Sequence, residues 1–270
     1  MASLRRSIAS TFTGWLGRFS SERTPLDAIR STLGLLRPFD PGIPLIRLGR
    51  EHDGGYLVPD DLDGIGSCFS PGVSSHASFE QDLERRGISS FLADASVAGP
   101  PPDCGHMSFE KRFLGCYDSD THTTLGSWVA RHPEAGSGDL LLQMDIEGAE
   151  YDVIPNVEPS LLRRFRVLVL EFHKLDWIAQ PFVHRRIIEC LAKLDRDFVP
   201  VHLHPNNAGG LHRIGPLLVP RALEVTYLRR DRCRSLEPQT TFPHPLDRDN
   251  VTSKPSIVLP REFLTPDQAT

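Results

Sequence analysis

A short acidic stretch that follows an apolar run is the first place where the sequence points to chemistry. Asp145, Glu147 and Glu150 place three carboxylates within six residues, and Gly148 between them permits a close turn. Carboxylates grouped in this way can bind a metal cation, a sulfonium or ammonium group, or the hydroxyls of a sugar. The alternative is the N-terminus of a helix, where acidic residues oppose the helix dipole. The residue types leave both interpretations open.

A second candidate pair, Glu171 and His173, follows the apolar run Val167–Leu170. Imidazole titrates near neutral pH, so His173 is our candidate for the base that accepts a proton. Residues two apart on an extended strand face the same way, so Glu171 can orient the imidazole or bind a neighbouring hydroxyl. The alternative is a structural histidine at a strand end whose ring is hydrogen-bonded to the backbone. We predict that Asp145, Glu171 and His173 face one cleft.

Gly72 and Asp94 follow two earlier strand-like segments. A glycine in a tight loop before a helix lets the backbone approach a ligand closely. A carboxylate at a strand end can accept two hydrogen bonds from a ribose diol. An ordinary turn glycine and an isolated acid are the alternatives.

The hydropathy pattern predicts the elements that would position these residues. Predicted strands are Ile43–Leu48, Gly66–Phe69, Ser90–Ala93, Ser108–Leu114, Leu140–Met144, Val167–Leu170, Phe198–Leu203 and Leu223–Leu228. Predicted helices are residues 24–37, Ala77–Arg86, Leu125–Arg131, Pro159–Arg164 and Phe182–Leu194. A turn-rich stretch covers residues 51–58.

Strands that alternate with helices predict an α/β fold, a doubly wound sheet that is mostly parallel. The last two strands have no long helix between them, which predicts that they form an antiparallel hairpin and that an antiparallel strand lies at one edge. Ligands of such sheets bind beyond the carboxyl ends of the strands, where the candidate residues fall.

Composition limits the class of protein. The chain has 270 residues and a formal net charge of −5, which argues against a nucleic-acid partner. Its five cysteines form no C-x-x-C pair, so we expect reduced thiols and a cytoplasmic location. No apolar run is long enough for a transmembrane segment.

The chain ends differ from the middle. Residues 1–21 are basic, and their apolar residues recur at helical spacing. A terminal helix on the domain, an organelle transit peptide and a weak contact with a membrane surface all fit this pattern. We divide the chain into a helical N-terminal extension (1–40), a central domain (41–235) and an irregular C-terminal tail (236–270).

The segment Met144–Glu150 resembles the D-[IV]-E-G-x-E motif of FkbM-type methyltransferases, and further similar segments follow the family's order over roughly residues 42–230. These segments are Asp53–Tyr56, Phe69–Glu80, Asp94, Val169–His173, His204–Asn207 and Glu224–Tyr227.

The resemblance implies a Rossmann-like sheet of seven strands whose final strand is reversed. It also implies S-adenosylmethionine as the cofactor, with Gly72 under its methionine part, Asp94 at its ribose and Asp145 near the methyl-transfer centre. Asp53 and Gly55 complete the cofactor-binding residues that we predict. The implied acceptor is a hydroxyl of a sugar, glycan or related small metabolite.

One loop departs from the family pattern. The cofactor loop of the family begins with an acid and contains several glycines, whereas residues 70–76 read Ser-Pro-Gly-Val-Ser-Ser-His. We consider Glu80 and Asp53 as sources of the missing charge.

Three alternatives to this methyltransferase follow from the same residues. One is a metal-dependent enzyme in which Asp145 and neighbouring acids hold Mg²⁺, although we assign no metal ligand from the sequence. Another is an inactive family member that binds a glycan or a protein, which the altered loop favours. A nicotinamide dehydrogenase is the weakest, because the chain has no G-x-G-x-x-G motif.

Overall fold

A computed structural model describes residues 22–73, 75–105 and 107–264 of the chain. The basic segment 1–21, for which we considered a terminal helix, a targeting peptide and a membrane-surface contact, lies outside the described residues. Among those that are described, no helix is long and apolar enough to cross a membrane.

Short strands and helices alternate along the chain. The strands are β1 (Phe39–Asp40), β2 (Leu45–Gly49), β3 (Gly55–Pro59), β4 (Ile65–Pro71), β5 (Ser89–Ala93), β6 (Ser108–Glu110), β7 (Phe113–Leu114), β8 (His122–Thr123), β9 (Asp139–Met144), β10 (Phe165–His173), β11 (Phe198–Pro205), β12 (Leu211–Ile214), β13 (Leu217–Pro220), β14 (Ala222–Arg229) and β15 (Glu237–Pro238). The α-helices are α1 (Leu26–Gly34), α2 (Ser78–Glu84), α3 (Leu125–Ala130), α4 (Glu150–Asn156), α5 (Pro159–Leu162) and α6 (Pro181–Asp195).

Seven strands form the central sheet in the order β11-β14-β10-β9-β4-β5-β6. All neighbours among β10, β9, β4, β5 and β6 pair in parallel, and β14 runs antiparallel to both β10 and β11. The predicted α/β fold with a mostly parallel, Rossmann-like sheet of seven strands is therefore confirmed.

The position of the reversed strand differs from the prediction. The last two strands of the sheet form an antiparallel pair at one edge, as predicted. However, the reversed strand β14 lies second from the edge, and β11 forms the edge itself. The crossover through α6 leaves a gap one strand wide between β10 and β11. The short hairpin β12–β13 then returns the chain into this gap, so that β14 pairs on both sides.

The central strands alternate between two apolar cores, one on each face of the sheet. Leu140 and Leu142 of β9 belong to the larger core, whereas Leu141 belongs to the smaller one. Helices α1, α3, α4 and α6 cover the first face, and α2 with the β2–β3 hairpin covers the second. Strands buried on both faces need continuous apolar runs, which is what the sequence shows at β9 and β10.

Local differences arise where chain packing overrides the sequence pattern. The predicted strand Ser108–Leu114 is split into β6, which joins the central sheet, and β7, which pairs with β8. The predicted turn-rich stretch contains strand β3, which pairs with β2. The acidic stretch ends in helix α4, which begins at Glu150.

Both ends of the described chain pack against the central domain. Helix α1 places Ile29 and Leu33 in the larger core, and Phe263 joins the same core from the other end of the chain. The C-terminal segment, residues 236–264, runs along the edge strand β11. Asp247 of this segment contacts two histidines of β11. Its Oδ1 lies 2.8 Å from His202 Nε2 and 3.8 Å from His204 Nδ1.

We predict that the attachment of the C-terminal segment weakens as pH rises from about 6.5 to 9. Burial lowers the pKa of His204, but the nearby Asp247 carboxylate and the charge of Glu224 outweigh burial and the opposing charge of Arg47, so this pKa rises to about 9. A histidine with a raised pKa stabilises the fold fully below its unfolded pKa near 6.5, and this contribution is lost as pH passes the folded value.

Burial raises the pKa of Asp247, but the hydrogen bond with His202 and the electrostatic interactions with His202 and His204 outweigh it and hold this pKa below its usual range. The contribution of Asp247 to stability is therefore present above about pH 4 and is lost only in acid. Urea unfolding at pH 6 and at pH 9.5 measures the effect in the wild type and in Asp247→Asn. We expect the wild type to lose on the order of 2 kcal/mol more than the variant across this range. Equal losses would show that the Asp247–His204 contact does not hold the segment.

Candidate active site

The carboxyl ends of β9 and β10 bring three of the predicted residues together. These strands are parallel neighbours, and Leu170 pairs with Met144 immediately before the two strands end. His173 Nε2 lies 3.7 Å from Asp145 Oδ1 and 3.6 Å from Glu171 Oε1. One oxygen or nitrogen from each of the three side chains lies within 4.8 Å of the others. The structure thus places Asp145, Glu171 and His173 in one cluster.

The imidazole of His173 has a defined orientation. Its Nδ1 lies 3.1 Å from the backbone carbonyl of Glu171 and 3.5 Å from Glu150 Oε1, so Nε2 faces Asp145 and the Glu171 carboxylate. Burial lowers the pKa of His173, but the hydrogen bond to Glu150 and the charges of Glu171, Glu150 and Asp145 outweigh it and raise the pKa to about 10. His173 can therefore act as a base at neutral pH only when another cation offsets these carboxylates.

Two buried glutamates face each other across the antiparallel pair β10–β14, where Glu171 is the register partner of Glu224. Each carboxylate accepts a hydrogen bond from an amide, Glu171 from Asn206 Nδ2 at 2.8 Å and Glu224 from Asn250 Nδ2 at 2.6 Å. Burial is the main cause that raises the pKa of both carboxyls, to about 8 for Glu171 and about 7 for Glu224. Burial also raises the pKa of Asp145, and the charge of Glu171 adds to the effect.

The acidic stretch after β9 is divided between a cavity wall and the start of a helix. Asp145 and Glu147 line a cavity, whereas Glu150 starts α4 and accepts a hydrogen bond from the backbone N–H of Ile146 at 3.0 Å. The turn holds Glu147 at φ 61°, and Lys174 beside it has φ 56°. Left-handed conformations are unfavourable for such residues and occur often at functional sites.

Two cavities meet at this edge of the sheet. The wide cavity has a volume of about 560 Å³, within the usual range of ligand sites, and contains the Asp145–Glu171–His173 cluster. The narrow cavity, of about 80 Å³, lies on the β4 side and includes Gly72. Asp53 and Asp145 line both cavities, so a ligand could extend from one into the other.

The predicted cofactor-binding residues occupy different places. Gly72 has φ +92°, and a Cβ at this position would lie 1.7 Å from the backbone oxygen of Asp145, so glycine is required by the close approach of β4 and β9. Asp53 accepts a hydrogen bond from Asn250 Nδ2 at 3.2 Å. Asp145 lies between the two cavities.

Gly55 and Asp94 line neither cavity. A Cβ on Gly55 would lie 2.0 Å from the carbonyl oxygen of Arg50, so this glycine serves the β2–β3 hairpin. Asp94 directly follows Ala93, whose carbonyl accepts a hydrogen bond from Gly72 N–H at 2.9 Å. Its Oδ1 accepts a hydrogen bond from Ser96 N–H at 2.7 Å.

The residue that replaces the acid of the family loop, Ser70, is buried beside a carboxyl group. Its hydroxyl is within hydrogen-bond distance of Glu80 and lies 2.7 Å from Gln143 Oε1, and Gln143 Nε2 donates to the Tyr56 hydroxyl at 3.2 Å. Burial raises the pKa of Glu80 to about 7. Of the two acids considered for the missing charge, Glu80 thus lies against Ser70, and Asp53 lies at the junction of the two cavities.

Comparison with known protein families gives a match over the central part of the chain. Residues 98–199 match the methyltransferase FkbM domain. The resemblance seen in the sequence is confirmed, and the match supports methyltransferase activity. The matched range of the FkbM domain contains Asp145, Glu171 and His173, and it begins after Gly72 and Asp94. No curated protein gives a significant match to the chain.

Several residues around the cluster of Asp145, Glu171 and His173 were missed by the sequence analysis. Asn250 and Val251 line the wide cavity from the C-terminal segment, and Glu224 of the reversed strand accepts a hydrogen bond from Asn250. Tyr56 and Gln143 line the narrow cavity. Glu224 was the one available signal in the sequence, because an acid within the apolar strand β14 is buried and a buried carboxylate needs a partner. Nothing in the local pattern near Asn250 indicates a site.

Proposed function

We propose that the chain is an S-adenosylmethionine-dependent methyltransferase that methylates a hydroxyl of a sugar, glycan or related hydroxylated metabolite. The observation that carries this proposal is the cluster of Asp145, Glu171 and His173, which faces a cavity of about 560 Å³ inside the FkbM match. The position agrees with the general rule that ligands of open parallel sheets bind beyond the strand carboxyl ends.

The residues at the ends of β4 and β9 suit the proposed cofactor. The junction of the two cavities is lined by the carboxylates of Asp53 and Asp145, which suit a ligand that carries sulfonium and ammonium groups. Gly72 leaves the floor of the narrow cavity free of a side chain, and Asp94 is proposed at the ribose. When bound, the cofactor supplies an electrophilic methyl group.

The wide cavity suits a polar acceptor. Its lining includes the carboxylates of Asp53 and Glu171 and the amides of Asn206 and Asn250, and contains no Phe, Tyr or Trp among the described residues. Such groups accept hydrogen bonds from a polyol and donate hydrogen bonds to it. They offer no flat apolar surface on which an aromatic acceptor could pack. We propose that Asp145 and Glu171 position the acceptor hydroxyl and that His173 or a neighbouring carboxylate takes its proton.

The first experiment is calorimetric titration of the chain with S-adenosylmethionine and S-adenosylhomocysteine, followed by a screen of hydroxylated acceptors with labelled donor. We expect both ligands to bind. A chain that binds a glycan but neither ligand would be an inactive family member that acts as a binding module.

We predict that Asp94→Ala weakens the binding of S-adenosylhomocysteine by about 10–150-fold. Loss of charge-assisted hydrogen bonds to the ribose is expected to cost about 1.5–3 kcal/mol, which corresponds to that range. Calorimetry measures the change, and Asp120→Ala in an exposed loop is the control for loss of one negative charge. Unchanged affinity in Asp94→Ala would remove Asp94 from the ribose site.

A further inference from the structure

We propose that Asp145, Glu171 and His173 bind one divalent metal ion of the Mn²⁺ type at the floor of the wide cavity. Only the catalytic role of the ion rests on the proposed methyl transfer, because binding of the ion depends on the three side chains alone.

The spacing of the three side chains suits an ion better than direct contact. His173 Nε2 is 3.7 Å from Asp145 Oδ1 and 3.6 Å from Glu171 Oε1, distances that are too long for hydrogen bonds. Ligand atoms that lie about 2.1 Å from a common ion are separated from each other by roughly 3–4 Å. The three groups therefore need little movement to close around an ion.

The orientation of His173 is an independent observation that points to a ligand on Nε2. The Nδ1 side of the ring faces the Glu171 carbonyl at 3.1 Å and Glu150 Oε1 at 3.5 Å. In the neutral ring these acceptors hold the proton on Nδ1 and leave the Nε2 lone pair toward Asp145 and Glu171, so an ion that binds there displaces the second proton of the imidazolium. Histidines that bind metals have this arrangement, in which the second nitrogen donates to a carbonyl or a carboxylate.

Further hydrogen bonds fix the side chains around the three proposed ligands. Asn206 Nδ2 donates to Glu171 Oε1 at 2.8 Å and fixes that carboxylate, while the N–H of Ile146 fixes Glu150 at 3.0 Å. Glu150 is fully buried, and its Oε2 has no hydrogen-bond partner among the residues that the structure describes. A supporting shell of this kind raises the affinity of the inner ligands for an ion.

The charge balance also favours a cation. Four carboxylates surround His173, those of Asp145, Glu147, Glu150 and Glu171. The nearby ammonium of Lys174 donates to the Glu147 carbonyl at 3.0 Å, and Arg221 lines the cavity wall. Buried carboxylates without enough positive charge are unfavourable, and a divalent ion would compensate two of them.

The ligand set indicates the class of ion. Two carboxylates and one imidazole suit Mn²⁺ or Fe²⁺ better than Ca²⁺, which takes six to eight oxygen ligands. Three protein ligands at the floor of an open cavity leave coordination positions for water and for an acceptor hydroxyl. An ion in this position would lower the pKa of a bound hydroxyl and so take part of the role that we assigned to a base.

The test is a titration of the full chain with Mn²⁺ at fixed pH, followed by electron paramagnetic resonance. We expect one saturable Mn²⁺ per chain in the wild type and at least about 10-fold weaker binding in Glu171→Gln, Asp145→Asn and His173→Ala. Glu189→Gln is the matched control, because it removes the same charge from an exposed side chain of α6 that lines neither cavity. We expect its affinity to stay within about 3-fold of the wild type, the size of a surface charge effect.

Absence of saturable binding in the wild type would overturn the proposal, and so would equal weakening in Glu189→Gln and the three ligand variants. Calorimetry with S-adenosylhomocysteine in the presence of a chelator separates this inference from the proposed function. Mn²⁺ binding without binding of S-adenosylhomocysteine leaves the metal site standing and removes the methyltransferase. Binding of S-adenosylhomocysteine without saturable binding of Mn²⁺ supports the proposed methyltransferase and removes the metal site.

Discussion

His173→Ala is expected to lower the turnover of methyl transfer by about 10²–10⁴-fold, while the affinity for S-adenosylhomocysteine stays close to that of the wild type. The imidazole faces the wide cavity and contacts Asp145 and Glu171, whereas the narrow cavity does not include it. The loss should therefore fall on the acceptor side of the reaction, whether His173 accepts a proton or holds an ion. Single-turnover kinetics with labelled donor measure the rate, and calorimetry measures the affinity.

His212→Ala is the matched control for this prediction, because His212 lies on the small hairpin β12–β13 with its side chain 43% exposed. His173→Gln serves as a second variant that keeps a polar side chain among the carboxylates. We also expect both His173 variants to unfold near the wild-type temperature, since the imidazole lies outside the two apolar cores. Turnover that barely changes while the fold is lost would make His173 a structural residue.

Gly72→Ala is expected to destabilise the fold by about 3–5 kcal/mol and to abolish methyl transfer. The added Cβ would lie 1.7 Å from the Asp145 oxygen and 2.7 Å from its carbonyl carbon, at a φ of +92° that alanine rarely adopts. Both obstacles are backbone atoms, so no rotation of a side chain relieves them. The strand end that carries Asp145 would have to move away from the cluster.

Gly87→Ala separates the two causes of this effect. Gly87 has φ +80°, and a Cβ there meets nothing within 4 Å, so the variant reports conformational strain alone, about 1–2 kcal/mol. Urea unfolding of both variants gives the difference that belongs to the contact with Asp145. Similar losses in the two variants, with activity retained in Gly72→Ala, would show that β4 and β9 need not approach so closely.

Local patterns in the sequence were sufficient for most elements of the sheet. The runs Leu140–Met144 and Val167–Leu170 lie within β9 and β10, because strands buried on both faces must be apolar throughout. The helix predicted at Phe182–Leu194 corresponds to α6, whose apolar residues recur at helical spacing. Gly55 shows the limit of such reasoning, because the sequence does not distinguish a glycine that a hairpin requires from a glycine that a ligand requires.

The sequence by itself therefore determined the alternation of strands and helices and the presence of acids and a histidine at the strand ends. Only the tertiary structure decided which of them meet. His173 reaches Asp145 because the register of β10 on β9 aligns their ends, and Asn250 reaches Asp53 across 197 positions of the chain. The place of β14 was likewise set by pairing with both β10 and β11. Side-chain periodicity is a local property, whereas pairing and burial across such distances depend on how the whole chain closes on itself.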